Sequence, residues 1–80
     1  MQIRLLLFAS YAEALGTGEL ALELPEGARA ADALAAVKER AGADRLPPKP
    51  MIAVNQRYAQ PDQQLSEGDE VALIPPVAGG

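Results

Sequence analysis

The chain contains neither cysteine nor histidine. Without cysteine it can form no disulfide and offers no thiolate, and without histidine it lacks the commonest general base and metal ligand. These two absences exclude the most frequent side-chain routes to covalent catalysis and transition-metal binding. Any chemistry that this protein performs must therefore use another group.

Aromatic residues and positive charges are also scarce. The 80 residues include one phenylalanine and two tyrosines, so aliphatic and small side chains must fill the core. Seven basic residues against eleven acidic ones give a formal net charge of -4. Because affinity for nucleic acid depends largely on clustered lysine and arginine, we do not expect a nucleic-acid partner.

Long apolar runs are missing as well. The sequence has no run of about 18 apolar residues, the length that is needed to cross a membrane. Its first residues lead into strand-like sequence without a secretion-signal pattern. The acidic residues near the end lack the spacing of a calcium loop, and we interpret them as turn and solvating charges: Asp62, Glu67, Asp69 and Glu70. We expect one small cytoplasmic domain with no metal site and no membrane contact.

Hydrophobic periodicity predicts five strands, one short helix and one main helix. Residues spaced by two mark the strands, and a stripe with helical spacing (Ala30, Leu34, Val37 and Ala41) marks the main helix, which Gly42 should end. Asp32 compensates in part for a weak helix start through the helix dipole. The predicted order is strand 2–9, helical turns 10–16, strand 19–24, main helix, proline-rich connection 44–50, strand 51–54, a short strand at Tyr58 and strand 70–74, with Leu65 in the core.

This order predicts an α+β fold of the ubiquitin-like β-grasp type. A mixed sheet of about four to five strands would carry one main helix on one face, with the last strand returning to the middle beside the first. The pattern alone leaves open other folds built from hairpins and a helix. The domain would cover residues 1–74, followed by an extended, flexible tail at 75–80.

The tail, Pro75-Pro76-Val77-Ala78-Gly79-Gly80, is the most unusual stretch of the sequence. Two prolines stiffen the base of the tail and stop strand hydrogen bonding. Two glycines carry no Cβ, so a partner could close around bare backbone and reach the α-carboxylate. Since the chain lacks cysteine and histidine, the Gly80 carboxylate is our candidate reactive group, although a frayed terminus is the ordinary alternative.

A second candidate site would lie beside the base of this tail. If the first and last strands are parallel neighbours, their outward residues form one apolar patch, with Arg4 and Glu70 farther back. Such a patch on a small acidic protein suggests a partner interface. Its members are Phe8, Ile74, Leu6 and Ala72, and the last two could instead be covered by the chain's own loops.

Several motifs together resemble the small subunit of molybdopterin synthase, the MoaD sulfur-carrier family. The resemblance spans the whole chain, and its most specific part is the Gly-Asp-Glu-Val strand that runs into Pro-Pro-Val-x-Gly-Gly. Two positions depart from the family pattern: Ala12, where Arg is frequent, and Arg29, where Thr is frequent. The motifs are Phe8-Ala9, Val54-Asn55, Leu65, Gly68-Asp69-Glu70-Val71 and residues 75–80.

The resemblance implies a non-catalytic sulfur-donor subunit whose partner, a MoaE-like large subunit, supplies the catalytic side chains. An E1-like activating enzyme of the MoeB type would use ATP and Mg²⁺ to adenylate Gly80, and a sulfur donor would convert the adenylate to a thiocarboxylate. Residues 75–79 would insert into the large subunit, where sulfur delivery converts cyclic pyranopterin monophosphate to molybdopterin. The family further suggests a heterotetramer and no cofactor bound by this chain.

Three alternatives remain at this stage. A sulfur carrier of the thiamine pathway (ThiS-like) would have the same fold and activation but would deliver sulfur to thiazole synthesis. A ubiquitin-like protein modifier would use Gly80 to form an isopeptide bond with a lysine. A plain binding module would carry an unused tail.

Overall fold

The computed structural model describes residues 1–41, 46 and 49–75. Three sequence predictions therefore lie outside the described residues, in whole or in part. These are the helix stop at Gly42, most of the connection at 44–50, and the tail from Pro76 to Gly80. The strands and the main helix can all be compared with the structure.

The described residues form five strands and two helices, close to the predicted bounds. No helix in this part of the chain has the length and apolar character needed to span a membrane. The elements in chain order are β1 (Gln2–Leu7), α1 (Ser10–Leu15), β2 (Glu19–Glu23), α2 (Ala30–Ala41), β3 (Met51–Val54), β4 (Arg57–Ala59) and β5 (Glu70–Ile74).

The five strands form one mixed sheet in the order β2-β1-β5-β3-β4. The first and last strands are parallel neighbours at its centre, with Leu6 opposite Ala72, and the other three pairings are antiparallel. This order confirms the predicted β-grasp arrangement. It also places the strand that leads into the tail in the middle of the sheet.

Helix α2 packs on one face of the sheet and closes the core. Ile3, Leu5 and Leu7 of β1 point to this face, as their alternation predicted, together with Val71 and Leu73 of β5. The buried stripe of α2 is Ala30, Ala33 and Val37, while Leu34 is only partly buried. Leu65 is 3% exposed, which confirms that it belongs to the core.

The start of α2 is held by a distant loop rather than by a serine or threonine cap. The amide of Ala30 donates to the carbonyl of Gln63 at 2.9 Å, and the amide of Ala31 donates to that of Pro61 at 2.8 Å. The Asp32 carboxylate accepts a hydrogen bond from the Arg29 amide at 2.7 Å, so it contributes more than the predicted dipole effect. These bonds satisfy donors that a helix start leaves unpaired.

Strand β1 ends at Leu7, two residues before the predicted end, because the chain turns at Ala9. The backbone of Ala9 has φ 48° and ψ -122°, and the amide of Tyr11 donates to the carbonyl of Phe8 at 3.0 Å. These angles match the first central position of a type II′ turn, which glycine normally occupies. The turn therefore carries backbone strain at an alanine.

We expect Ala9→Gly to stabilise the protein by about 1 kcal/mol, because glycine adopts a positive φ without a Cβ clash. Urea denaturation of the two proteins would measure the difference. Ala35→Gly, on the exposed side of α2, is the matched control and should destabilise by about 1 kcal/mol, since glycine is a poor helix former. A loss of stability in both variants would contradict the assignment of strain to Ala9.

Candidate functional site

The face of the sheet opposite α2 carries a row of side chains across four strands. Leu6 of β1 is opposite Ala72 of β5, Ala72 is opposite Ala53 of β3, and Ala53 is opposite Tyr58 of β4. The row therefore consists of two small side chains between two large ones. Since neighbouring strands are about 4.8 Å apart, Leu6 and Tyr58 are three spacings, roughly 14 Å, apart, and the two alanines leave a depression between them.

A second row closes the depression on the side of the tail. Ile74 of β5 is opposite Met51 of β3, and the amide of Phe8 donates to the carbonyl of Leu73 at 3.3 Å, which holds Phe8 beside the end of β5. Phe8 is 46% exposed, a large fraction for a phenylalanine. Pro75 follows Ile74 directly, so the chain leaves the sheet at this apolar end.

Charged residues close the other side. Arg4 of β1 is opposite Glu70 of β5, and its guanidinium lies between two carboxylates. Its Nε is 2.6 Å from the Glu19 carboxylate, whereas its Nη1 reaches the Glu70 carboxylate only at 3.9 Å. The Glu70 side chain is 26% exposed. The contact between Arg4 and Glu70 is thus at the outer limit of an ion pair.

These rows enclose a volume of about 350 Å³, which we call the alanine groove. Ala53 and Ala72 form its floor. Tyr58, which is 74% exposed, and Gln56 lie on the side of β4. The groove is bounded elsewhere by Leu6, Phe8, Ile74 and Glu70.

Two larger concavities lie elsewhere on the described surface, and charged residues border both of them, although Ile3, Leu20 and Ala21 also line one. One, of about 410 Å³, includes Arg4, Glu19 and Glu67, and the other, of about 560 Å³, includes Arg57 and Asp69. Ile74, the strand residue next to the tail, lines neither of them. The alanine groove is therefore the better candidate for a docking surface that works together with the tail.

The turn between β3 and β4 is fixed against the start of β5. Asn55 and Gln56 both have positive φ, at 51° and 71°, as a type I′ hairpin requires. The Asn55 side chain donates to the Asp69 carboxylate at 3.0 Å and accepts from the Glu70 amide at 3.0 Å. Asn55 is thus a turn residue, and its side chain joins two strands that border the groove.

The structure brings together the four residues of the predicted apolar patch. Leu6 is half-buried and Ala72 is 9% exposed, yet Ala72 points away from the α2 core, so its burial comes from neighbours on the open face. Sequence reasoning missed Ala53 and Gln56 as members of this surface. The alternation within β3 could not reveal its outward face, because both faces of Met51–Val54 are apolar.

The predicted reactive group lies outside the described residues. Pro75 is described and partly buried, while Pro76, Val77, Ala78, Gly79 and Gly80 are not described. The role assigned to the Gly80 carboxylate, and the insertion of residues 75–79 into a partner, remain predictions from the sequence. The described geometry supplies the body from which such a tail would act.

Comparison with known proteins gives consistent results over the whole chain. The ThiS family matches residues 5–80. The molybdopterin synthase sulfur carrier subunit of Chlamydomonas reinhardtii is 40% identical over 83 residues, which cover 100% of both chains. The Escherichia coli protein of the same name is 38% identical and covers 98% of this chain and 99% of its own length.

A solved structure adds information on the fold. The small archaeal modifier protein 1 of Haloferax volcanii is 29% identical to this chain and covers 100% of both, with a TM-score of 0.82. That protein is named as a modifier, whereas the two curated relatives are named as sulfur carrier subunits. The Haloferax structure shares the ubiquitin-like β-grasp fold with this chain.

Proposed function

The chain belongs to the ThiS family, and from that premise we propose that it is the sulfur-carrier subunit of a molybdopterin synthase. The observation that carries this proposal is the full-length match to the Chlamydomonas sulfur carrier, at 40% identity over 100% of both chains. The family match also extends to Gly80, the residue with the proposed reactive carboxylate. A carrier of this type needs no catalytic side chain, in agreement with the absence of cysteine and histidine.

The Gly80 carboxylate would acquire sulfur in two steps. A carboxylate is a poor electrophile, so an E1-like activating enzyme would first join it to the AMP part of ATP, with Mg²⁺, and release pyrophosphate. Sulfur from a donor would then displace AMP and leave a thiocarboxylate. The catalytic groups for these steps belong to the activating enzyme, while this chain contributes the acyl group.

The large subunit of the synthase is the proposed acceptor of the tail. Six extended residues reach roughly 20 Å, so the tail could enter a buried active site while the folded body remains at its entrance. The alanine groove lies beside the start of the tail and offers a surface through which the folded body can dock on the large subunit. Transfer of sulfur from two carriers would build the dithiolene of molybdopterin, in keeping with a heterotetramer.

Intact-mass spectrometry tests the carrier function directly. The purified chain is incubated with the activating enzyme, ATP, Mg²⁺ and sulfide, and a parallel sample lacks ATP. We expect an ATP-dependent mass increase equal to the difference between sulfur and oxygen. A mass that does not change in the complete mixture would refute the proposal.

Sulfur delivery to the pterin distinguishes this function from the thiamine alternative. The thiocarboxylated chain is combined with the large subunit and cyclic pyranopterin monophosphate, and molybdopterin is measured as its fluorescent oxidation product. We expect product in proportion to the thiocarboxylate supplied. Sulfur incorporation into thiazole, with none into the pterin, would instead support the thiamine pathway.

Protein modification is the second candidate, because the Haloferax structure is named as a modifier. A modifier would be recovered from cells joined through Gly80 to lysines of other proteins. A carrier would be recovered as free chain with either a carboxylate or a thiocarboxylate. Mass spectrometry of the chain from cells grown with sufficient sulfur separates these two outcomes.

We expect Phe8→Ala to weaken binding to the large subunit about 10- to 100-fold, as for an aromatic residue at the centre of an interface. Because Phe8 is 46% exposed, the thermal midpoint should change little. Titration calorimetry would measure the dissociation constant, with Lys38→Ala on the exposed side of α2 as the control. Equal binding by the wild type and the Phe8 variant would exclude Phe8 from the interface.

A further inference from the structure

The floor of the alanine groove is buried although it does not belong to the core. Ala53 and Ala72 are 8% and 9% exposed and lie outside the cluster of side chains that packs under α2. Their burial arises because Leu6 and Tyr58 rise on either side of them in the same cross-strand row. A flat partner surface would rest on these larger residues and leave the floor uncovered. A protruding side chain is needed to fill it.

The lining of the groove indicates the chemistry of that side chain. Between its charged end and the end at the tail, the groove presents mostly apolar side chains, with Gln56 and the Tyr58 hydroxyl as polar groups on the side of β4. The apolar residues are Leu6, Phe8, Ala53, Tyr58, Ala72 and Ile74. An apolar side chain that displaces water from this volume gains about 25 cal/mol per Å² of buried apolar surface. A polar side chain would lose hydrogen bonds to water on entering it.

The charged end indicates what should accompany the apolar group. Arg4 is held at 2.6 Å by Glu19 and reaches Glu70 only at 3.9 Å, so two carboxylates share one guanidinium. This leaves one excess negative charge at the border of the groove, in a chain whose net charge is already -4. A partner cation placed next to Glu70 would be favoured by both the local and the overall charge.

We propose that the alanine groove receives one protruding apolar side chain of the large subunit, and that a lysine or arginine on the same segment pairs with Glu70. The inference rests on the proposed function for the identity of the partner. It adds that Ala53 and Ala72 determine specificity by their small size. Larger side chains at these two positions would occupy the space that the partner needs.

The test of the floor uses the same substitution inside and outside the groove. Ala72→Leu fills the floor, while Ala21→Leu adds the same atoms to the exposed Ala21 of β2, beyond Arg4 in the sheet. Titration calorimetry with the purified large subunit should show binding weakened at least about tenfold for Ala72→Leu, by overpacking, and unchanged for Ala21→Leu. Wild-type affinity in the Ala72 variant would overturn the proposal.

The test of the charged end uses salt. Glu70→Gln should weaken binding about two- to fivefold at low ionic strength and reduce the dependence of the dissociation constant on salt. Glu39→Gln, on the exposed surface of α2, removes the same charge away from the groove and should preserve both values. Identical salt dependence in the Glu70 and Glu39 variants would overturn the pairing of Glu70 with a basic residue.

Two readouts separate failure of this inference from failure of the proposed function. Thermal midpoints and the ATP-dependent mass increase should be the same in the wild type and in Ala21→Leu. If the wild type binds the large subunit and gains sulfur while Ala72→Leu binds equally well, only the groove assignment fails. If the wild type neither binds nor gains sulfur, the proposed function fails together with the inference that rests on it.

Discussion

Replacing Gly80 with leucine is expected to reduce thiocarboxylate formation about 100-fold or more. Under the proposed function, a nucleotide and then a sulfur donor must approach the terminal carbonyl closely, and a branched side chain on the adjacent Cα would displace this carbonyl from the reacting geometry. The measurement is the intact-mass assay with the activating enzyme, ATP, Mg²⁺ and sulfide, followed over time. The chain has no cysteine or histidine, so no thiol or imidazole could take over the reaction.

Two control variants make this result specific. Gly18→Ala changes a glycine in the folded body, where an added Cβ would meet only the Leu7 carbonyl at 3.9 Å, and should react like the wild type. Gly80→Ala, with a single methyl group, should give an intermediate rate. If the leucine variant reacts as fast as the wild type, the Gly80 carboxylate is not the group that carries sulfur.

Replacing Leu73 with alanine is expected to have the largest effect on stability. Leu73 is 0% exposed on the central strand β5, opposite Ile52 and against the α2 core. Loss of a fully buried leucine side chain lowers the free energy of unfolding by about 3 to 5 kcal/mol. A domain of this size has only about 4 to 12 kcal/mol in total, so a large share of its stability would disappear.

The matched control is Leu20→Ala, on the edge strand β2. Leu20 is only partly buried, so the same substitution should lower the free energy of unfolding by about 1 to 2 kcal/mol. Denaturation in guanidinium chloride, monitored by circular dichroism, gives both values. Equal losses at Leu73 and Leu20 would contradict the assignment of β5 to the centre of the core.

Local sequence patterns predicted most of the fold because they coincide with its long-range pairing. The alternation at Ile3, Leu5 and Leu7 defined the core face of β1, and the turn residues before Glu70 marked the start of β5. The apolar spacing of α2 was recognised, although it favoured Leu34 where the structure buries Ala33. The hydrophobic period and the turn residues are therefore sufficient to predict the elements and their buried faces.

Features that depend on contacts between distant segments could not be predicted. The carbonyls of Pro61 and Gln63 hold the start of α2, and no local pattern near Ala30 indicates this. The sequence likewise did not indicate the positive φ of Ala9, because alanine is not the residue that such a turn favours. The two walls of the alanine groove come from β1 and β4, which are joined only through the register of β5 and β3.

The parallel pairing of β1 with β5 has a consequence for biosynthesis. Among the described strands β1 is the first and β5 the last, and yet they form the centre of the sheet, so a nascent chain that lacks β5 cannot assemble this centre. Leu6 can meet Ala72 only once β5 has been synthesised, 66 residues after Leu6. Fragments cut short before β5 would therefore present no alanine groove, and an incomplete carrier could not compete with finished molecules for the large subunit.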